Sequence, residues 1–117
     1  MRKEFISKAI EQAERSSQNF KHGAIIVKNK KIISLGHNKI SSKVPSHLYS
    51  IHAEMAAIKG SSKNVTNSHC YVVRVNTYGL AESKPCEKCQ QFMKMHGVTR
   101  VFYSTGSKLE EFKSLYI

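Results

Sequence analysis

His52, Glu54, Cys86 and Cys89 carry most of the chemistry in this sequence. They lie in His-Ala-Glu-Met-Ala-Ala-Ile (52–58) and Lys-Pro-Cys-Glu-Lys-Cys-Gln (84–90). One imidazole and two thiolates make a three-ligand zinc site, and the fourth tetrahedral position, left to water, marks catalysis rather than scaffolding. Glu54, two residues after the nitrogen ligand, sets a proton carrier beside that water. Taken singly, each residue has a plainer reading. Cys86-x-x-Cys89 alone could be a redox pair or half of a structural zinc site. His52 alone would be a helix histidine with a satisfied ring, and Glu54 alone a carboxylate favoured at a helix start. It is the set, in this order, that points to a catalytic metal.

Two helices must bring these groups together. Residues 51–59 read as a helix ended near Gly60, and Cys86–Met95 as another stopped by Gly97. His52 and Glu54 are about 200° apart around a helix of 3.6 residues per turn. They share a site only where the first turn faces an open crevice. Pro85 suits the first turn of the helix carrying the thiolates.

The rest of the chain supplies the frame. Phe5, Ile6, Ala9, Ile10 and Ala13 recur at helical spacing within residues 2–16. The apolar runs 23–27 and 32–36 flank Lys28-Asn29-Lys30-Lys31, a hairpin with a charged turn. Residues 39–50, with Pro45 and several serines, read as a loop. Cys70–Val75 reads as a buried strand, 76–85 as a loop, Val98–Tyr103 as a strand and Lys108–Leu115 as a short helix. Strands joined by helical crossovers imply a parallel portion of the sheet, and the ligands then fall at helix starts on one sheet edge, where open α/β sheets bind ligands.

At 117 residues, with 40% hydrophobic and 23% charged, the chain reads as one domain of globular composition over 1–117. It has no apolar run of the ~20 residues that span a membrane, and its polar start does not resemble a secretion signal. Three cysteines, two of them in Cys-x-x-Cys, do not make a disulfide framework. These features point to an intracellular, cytoplasmic protein without membrane partners. Cys70, in an apolar run, reads as a buried small hydrophobe. The net charge of +11, from 19 Lys and Arg against eight Glu, favours phosphate-bearing partners, either a nucleotide or single-stranded nucleic acid. Monomer and homo-oligomer both stay open.

Motif and layout together resemble the cytidine and deoxycytidylate deaminase superfamily, from the first helix to about Tyr103. The specific part is His52-Ala53-Glu54 with Pro85-Cys86-x-x-Cys89; Gly23–Val27 and Gly36-His37-Asn38 match the family's first two strands. The resemblance implies a three-layer α/β/α sandwich with a mixed sheet of four to five strands, the fifth no more than a stub at Leu115-Tyr116-Ile117. It implies Zn2+ held by His52, Cys86 and Cys89, with Glu54 as the proton carrier. Asn38 would bond the substrate sugar, and Ala53 and Glu54 would lie against the base. It also implies hydrolysis of a cytosine base to uracil, for which a deoxycytidylate-type nucleotide is the leading substrate. A polynucleotide base deaminase, acting on cytosine in single strands or adenosine in tRNA, is the alternative. An inactive zinc-stabilised nucleic-acid-binding module is a third reading, against which Glu54 speaks. A histidine as first ligand argues against the free-nucleoside enzymes, and Lys84 stands where the tRNA enzymes carry Glu. The stretch 74–84 is long for the family, in a region that often sets substrate choice.

The remaining candidates are plainer. His22, His37, His47, His69 and His96 show no ligand spacing and read as surface or packing residues. Phe92, Met93 and Met95 read as core. Tyr49, Tyr78 and Tyr103, in or beside loops near the crevice, are candidates for stacking on a base.

Overall fold

The computed structural model describes residues 2–18, 20–40, 50–106 and 112–117. Strand β1 (Lys21–Lys28) is buried at five successive positions, Gly23–Val27, because helices cover both faces of the sheet. It forms the expected hairpin with β2 (Lys31–His37). Asn29 and Lys30 both have positive φ, as a two-residue primed turn requires. β1 also pairs antiparallel with β5 (Ser68–Asn76), and β5 pairs parallel with β7 (Val98–Ser104). β8 (Phe112–Tyr116) closes the far edge antiparallel to β7. β6 (Gly79–Ala81) folds back on the end of β5, beyond the reach of β7. The order is β2-β1-β5-β7-β8, with β6 off this path, so the mixed sheet has six strands rather than four to five.

Helix α1 (Arg2–Glu14) covers one face, where Phe5, Ile6, Ala9 and Ala13 meet Ile25, Tyr71, Val73 and Phe102. Helices α2 (Ala53–Lys59) and α3 (Glu87–Met95) cover the other, where Ala53, Ala57, Cys89 and Met93 meet Ala24, Ile26, Cys70 and Val72. This is the three-layer sandwich that the family resemblance implies. Gly97, at φ +88°, lets the chain turn out of α3 into β7. Among the described residues, no helix is long and apolar enough to cross a membrane.

Several expectations are corrected. Where a helix was expected over 108–115, residues 112–116 form β8. Its Leu115 and Phe112 pack on the two faces of the sheet, and β7 supplies the backbone partners; residues 108–111 lie outside the described set. The fifth strand is therefore no stub confined to 115–117. The expected loops at 39–50 and 76–85 each contain pairing: β3 (Lys39–Ile40) with β4 (Ser50–Ile51), and β5 with β6. Met95 is 81% exposed, whereas Met93 is in the core and Phe92 packs at its margin. Cys70 is fully buried, as read.

Candidate active site

α2 and α3 start side by side at the edge of the sheet. His52 immediately precedes α2, and Cys86 immediately precedes α3. Cys89 lies one turn into α3, fully buried. The Nδ1 of His52 is 3.1 Å from the Cys89 Sγ and 3.8 Å from the Cys86 Sγ, and the three donor atoms lie within 4.8 Å of one another. Donors held 2.0–2.3 Å from a tetrahedral centre stand roughly 3.5–3.8 Å apart, so the set closes on a zinc ion after shifts of up to about 1 Å. Burial, with Glu54 nearby, pushes the Cys89 thiol far above its ordinary value. A thiolate at that position therefore needs a cation beside it. Zinc is the cofactor this donor set takes.

The segment that carries Cys86 is tied to the sheet. The Ser83 hydroxyl donates to the Val72 carbonyl at 2.8 Å, and the Ser83 N–H donates to the Ser104 carbonyl at 2.9 Å. The Ser104 N–H returns a bond to the Ser83 hydroxyl at 2.9 Å. Behind Cys86, the Gln90 amide donates to the Pro85 carbonyl at 2.9 Å, locking the first turn of α3.

Glu54, in the first turn of α2, is only 4% exposed. Burial raises its carboxyl to about 7, against hydrogen bonds from its own backbone and from Cys89 that act in the opposite direction. A carboxyl poised near neutrality can both accept and return a proton.

A cleft of about 280 Å³ opens over these groups, bordered by His52, Ala53, Glu54 and Cys86 on one side and by Phe20, His22 and Asn38 on the other. His52, Cys86, Cys89, Glu54, Ala53 and Asn38 are thus brought together. Asn38 is engaged, however: its Oδ1 accepts from the His22 N–H at 2.9 Å, and its Nδ2 donates to the Phe20 carbonyl at 2.6 Å. One amide proton and one lone pair remain for another partner. A wider groove of about 440 Å³ on the α1 face, beside β6, holds none of these groups.

Sequence reasoning missed Phe20, Gln18, His22 and Ser83, all of which border the cleft. His22 was read as a surface or packing residue. The signal for it was strand alternation, since it shares a face with Ala24 and Ile26, which pack under α2. Burial, with Arg74 and His52 adding to it, pushes the His22 ring below its ordinary value. The tyrosine candidates fare otherwise. Tyr103 is buried in the core beneath the helices, so it offers no face to a base. Tyr78 is 91% exposed at the β5–β6 turn and does not border the cleft. Tyr49 lies outside the described residues.

Residues 1–105 match the model of the cytidine and deoxycytidylate deaminase zinc-binding region. In fold the chain is similar to the apo dCMP deaminase of cyanophage S-TIM5, with a TM-score of 0.73 and 23% identity over 92% of this chain and 84% of that one. It is also similar to a cytidine deaminase from Burkholderia pseudomallei, with a TM-score of 0.71 and 21% identity over 99% and 92% of the two chains. A diaminohydroxyphosphoribosylaminopyrimidine deaminase/reductase of Thermotoga maritima shares the fold over 90% of this chain and 29% of its own, with a TM-score of 0.62 and 21% identity. No curated protein matches the sequence.

Proposed function

The chain belongs to the family of cytidine and deoxycytidylate deaminases, and we propose that it hydrolyses a cytosine base to uracil and ammonia in a deoxycytidylate-type nucleotide. The observation that carries this reading is Glu54. Its buried carboxyl touches Cys89, borders the cleft and stands near neutrality beside a three-ligand zinc set. A purely structural site needs no such proton carrier, which argues against an inactive binding module.

His52, Cys86 and Cys89 hold the metal. Zinc, when bound, supplies an acidified water and a Lewis acid. Glu54 accepts the proton that water gives up and delivers it to the ring nitrogen beside the attacked carbon. It then takes the remaining proton from the hydroxyl added at that carbon and gives it to the amino group as the C–N bond breaks, so that ammonia leaves and a carbonyl remains. Burial serves this cycle because a carboxyl of ordinary acidity would be too weak a base to take up the proton that it must then pass on. Ala53, without a bulky side chain, lets the base lie against the start of α2. Asn38 offers its remaining proton and lone pair to the sugar.

A second reading, a deaminase of bases within single strands, is favoured by Phe20. Its ring is 62% exposed at the cleft, where an unstacked base could find a partner, and the charge of +11 suits a phosphate backbone. The test is a turnover screen of the zinc-loaded protein on dCMP, CMP, deoxycytidine, single-stranded DNA and tRNA. Fastest ammonia release from dCMP supports the first reading. Turnover confined to polymers replaces it with the second, and no turnover on any of the five overturns the assignment.

A further inference from the structure

We propose that Arg74 is the phosphate-binding residue of the cleft, gripping the phosphate next to the target nucleoside. This rests on the nucleotide reading above and names the group that would select a nucleotide over a nucleoside.

The placement follows from the β1–β5 pairing. Along β5, Cys70 and Val72 face α2 and α3, while Tyr71 and Val73 face α1. Alternation puts Arg74 on the zinc face, just beyond Val72. Its partner across the ladder is His22, which borders the cleft. The guanidinium lies over the ring of Phe20, 4.7 Å from the centroid, and that ring borders the same cleft. Stacking holds a guanidinium flat and leaves its edge free to bond in plane.

One donor on that edge lacks a partner: among the described residues, the Arg74 Nε is buried without a hydrogen bond. Among the described residues the guanidinium has no carboxylate partner either, the single ion pair there being Lys8 with Glu11. A buried donor left unsatisfied costs stability unless something fills the position. A phosphate does so, because its oxygens accept the two parallel N–H bonds of the fork. The mouth favours an anion in other respects as well. Lys84 borders the cleft and is exposed, and Glu54, the acidic side chain at the cleft, is buried at its floor.

The test compares ligands that differ only in the phosphate. Calorimetry with the zinc-loaded protein measures dUMP against deoxyuridine in the wild type, in Arg74→Gln and in Arg74→Lys. A short single-stranded oligodeoxynucleotide forms a third arm. The wild type should prefer dUMP, or the oligonucleotide if the phosphate belongs to a strand. That preference over deoxyuridine should fall roughly 10- to 100-fold in Arg74→Gln, the scale of a charge-assisted hydrogen bond. Arg74→Lys should recover only part of it, since a point charge replaces the fork. Zinc content and thermal midpoint confirm that each variant is folded. A wild type indifferent to the phosphate, or a preference that survives Arg74→Gln, overturns the proposal. Failure of the deaminase reading shows up separately, as absent turnover in a protein that still distinguishes dUMP from deoxyuridine.

Discussion

His52 and Cys86 occupy the same position on two different helices. Each is the residue before its helix, with φ −71° and ψ 152° at His52 and φ −69° and ψ 164° at Cys86. Neither side chain caps its helix by a hydrogen bond, although that position usually carries a capping residue. Both side chains turn towards each other, with 3.8 Å between Nδ1 and Sγ. The two helices forgo a cap and hold a ligand instead.

That trade makes metal and stability inseparable. Cys86→Ala and His52→Ala should each lose zinc and lower the thermal midpoint, because the metal joins α2 to α3. Adding a strong chelator to the wild type should lower the midpoint similarly, while leaving the midpoint of Cys86→Ala unmoved. Metal analysis of purified protein should return one zinc per chain. A variant lacking Cys86 that still holds a full equivalent would show that the metal sits elsewhere.

Glu54→Gln should retain zinc and fold but lose turnover by about 10²- to 10⁴-fold, the contribution of a positioned acid–base group. The amide has the size of the carboxyl but carries no proton between substrate atoms. Turnover within a few-fold of the wild type, with zinc content matched, would remove Glu54 from the mechanism.

The raised carboxyl also has a stability signature in metal-free protein. Glu54 moves from an ordinary 4.5 to about 7 on folding. Between those values the native state holds a proton that the unfolded chain has released, so its contribution is full below pH 4.5 and is lost as pH rises through 7. The shift corresponds to roughly 3 kcal/mol. Chelated wild type should therefore lose stability relative to chelated Glu54→Gln as pH rises from 4.5 to above 7. Denaturant titrations of the two proteins at several pH values measure this, and a constant difference would show that burial does not govern the group.

The zinc set and its two helices are legible in the sequence because each ligand cluster is local, within a few residues of a helix start. The other half of the cleft is not. Phe20, His22 and Arg74 meet only through the register that pairs His22 with Arg74, two residues far apart in the chain. β8 was read as helix for a related reason. Phe112 and Leu115 are three apart, a helical spacing that falls on opposite faces of a strand, and β7 decides for the strand by supplying backbone partners in a sheet covered on both faces. Tyr103 ends a strand beside a loop in the sequence reading, yet its register opposite Val72 puts its ring in the core.

Asn38→Ala separates two uses of one amide. The side chain already bridges the His22 N–H and the Phe20 carbonyl, both at the rim of the cleft. Removing it should cost about 1–3 kcal/mol from the orphaned backbone groups. It should also raise KM, because the rim residues it holds border the substrate space and its own remaining donor and acceptor are lost. Kinetics together with thermal melts test this. Lower stability with unchanged kinetics would confine Asn38 to a structural role.

Gly36→Ala tests whether α2 must sit this close to the sheet. A Cβ at Gly36 would meet the backbone of α2, 2.8 Å from the Ala53 carbonyl oxygen and 2.8 Å from the Ala57 Cα. Backbone cannot rotate aside, so the helix must move, carrying His52 and Glu54 with it. Gly23→Ala is the matched control, since its Cβ would meet the backbone of α1 at Ala9 and Ala13 on the opposite face. Both variants should be destabilised by about 1–3 kcal/mol or more, as over-packing costs. Only Gly36→Ala should also weaken zinc, because tetrahedral bonds of about 2.0–2.3 Å tolerate little displacement of a ligand. Competition with a chromogenic chelator measures the affinity of each. Equal zinc loss in the two variants would mean that general loosening, and not the seat of α2, governs the metal centre.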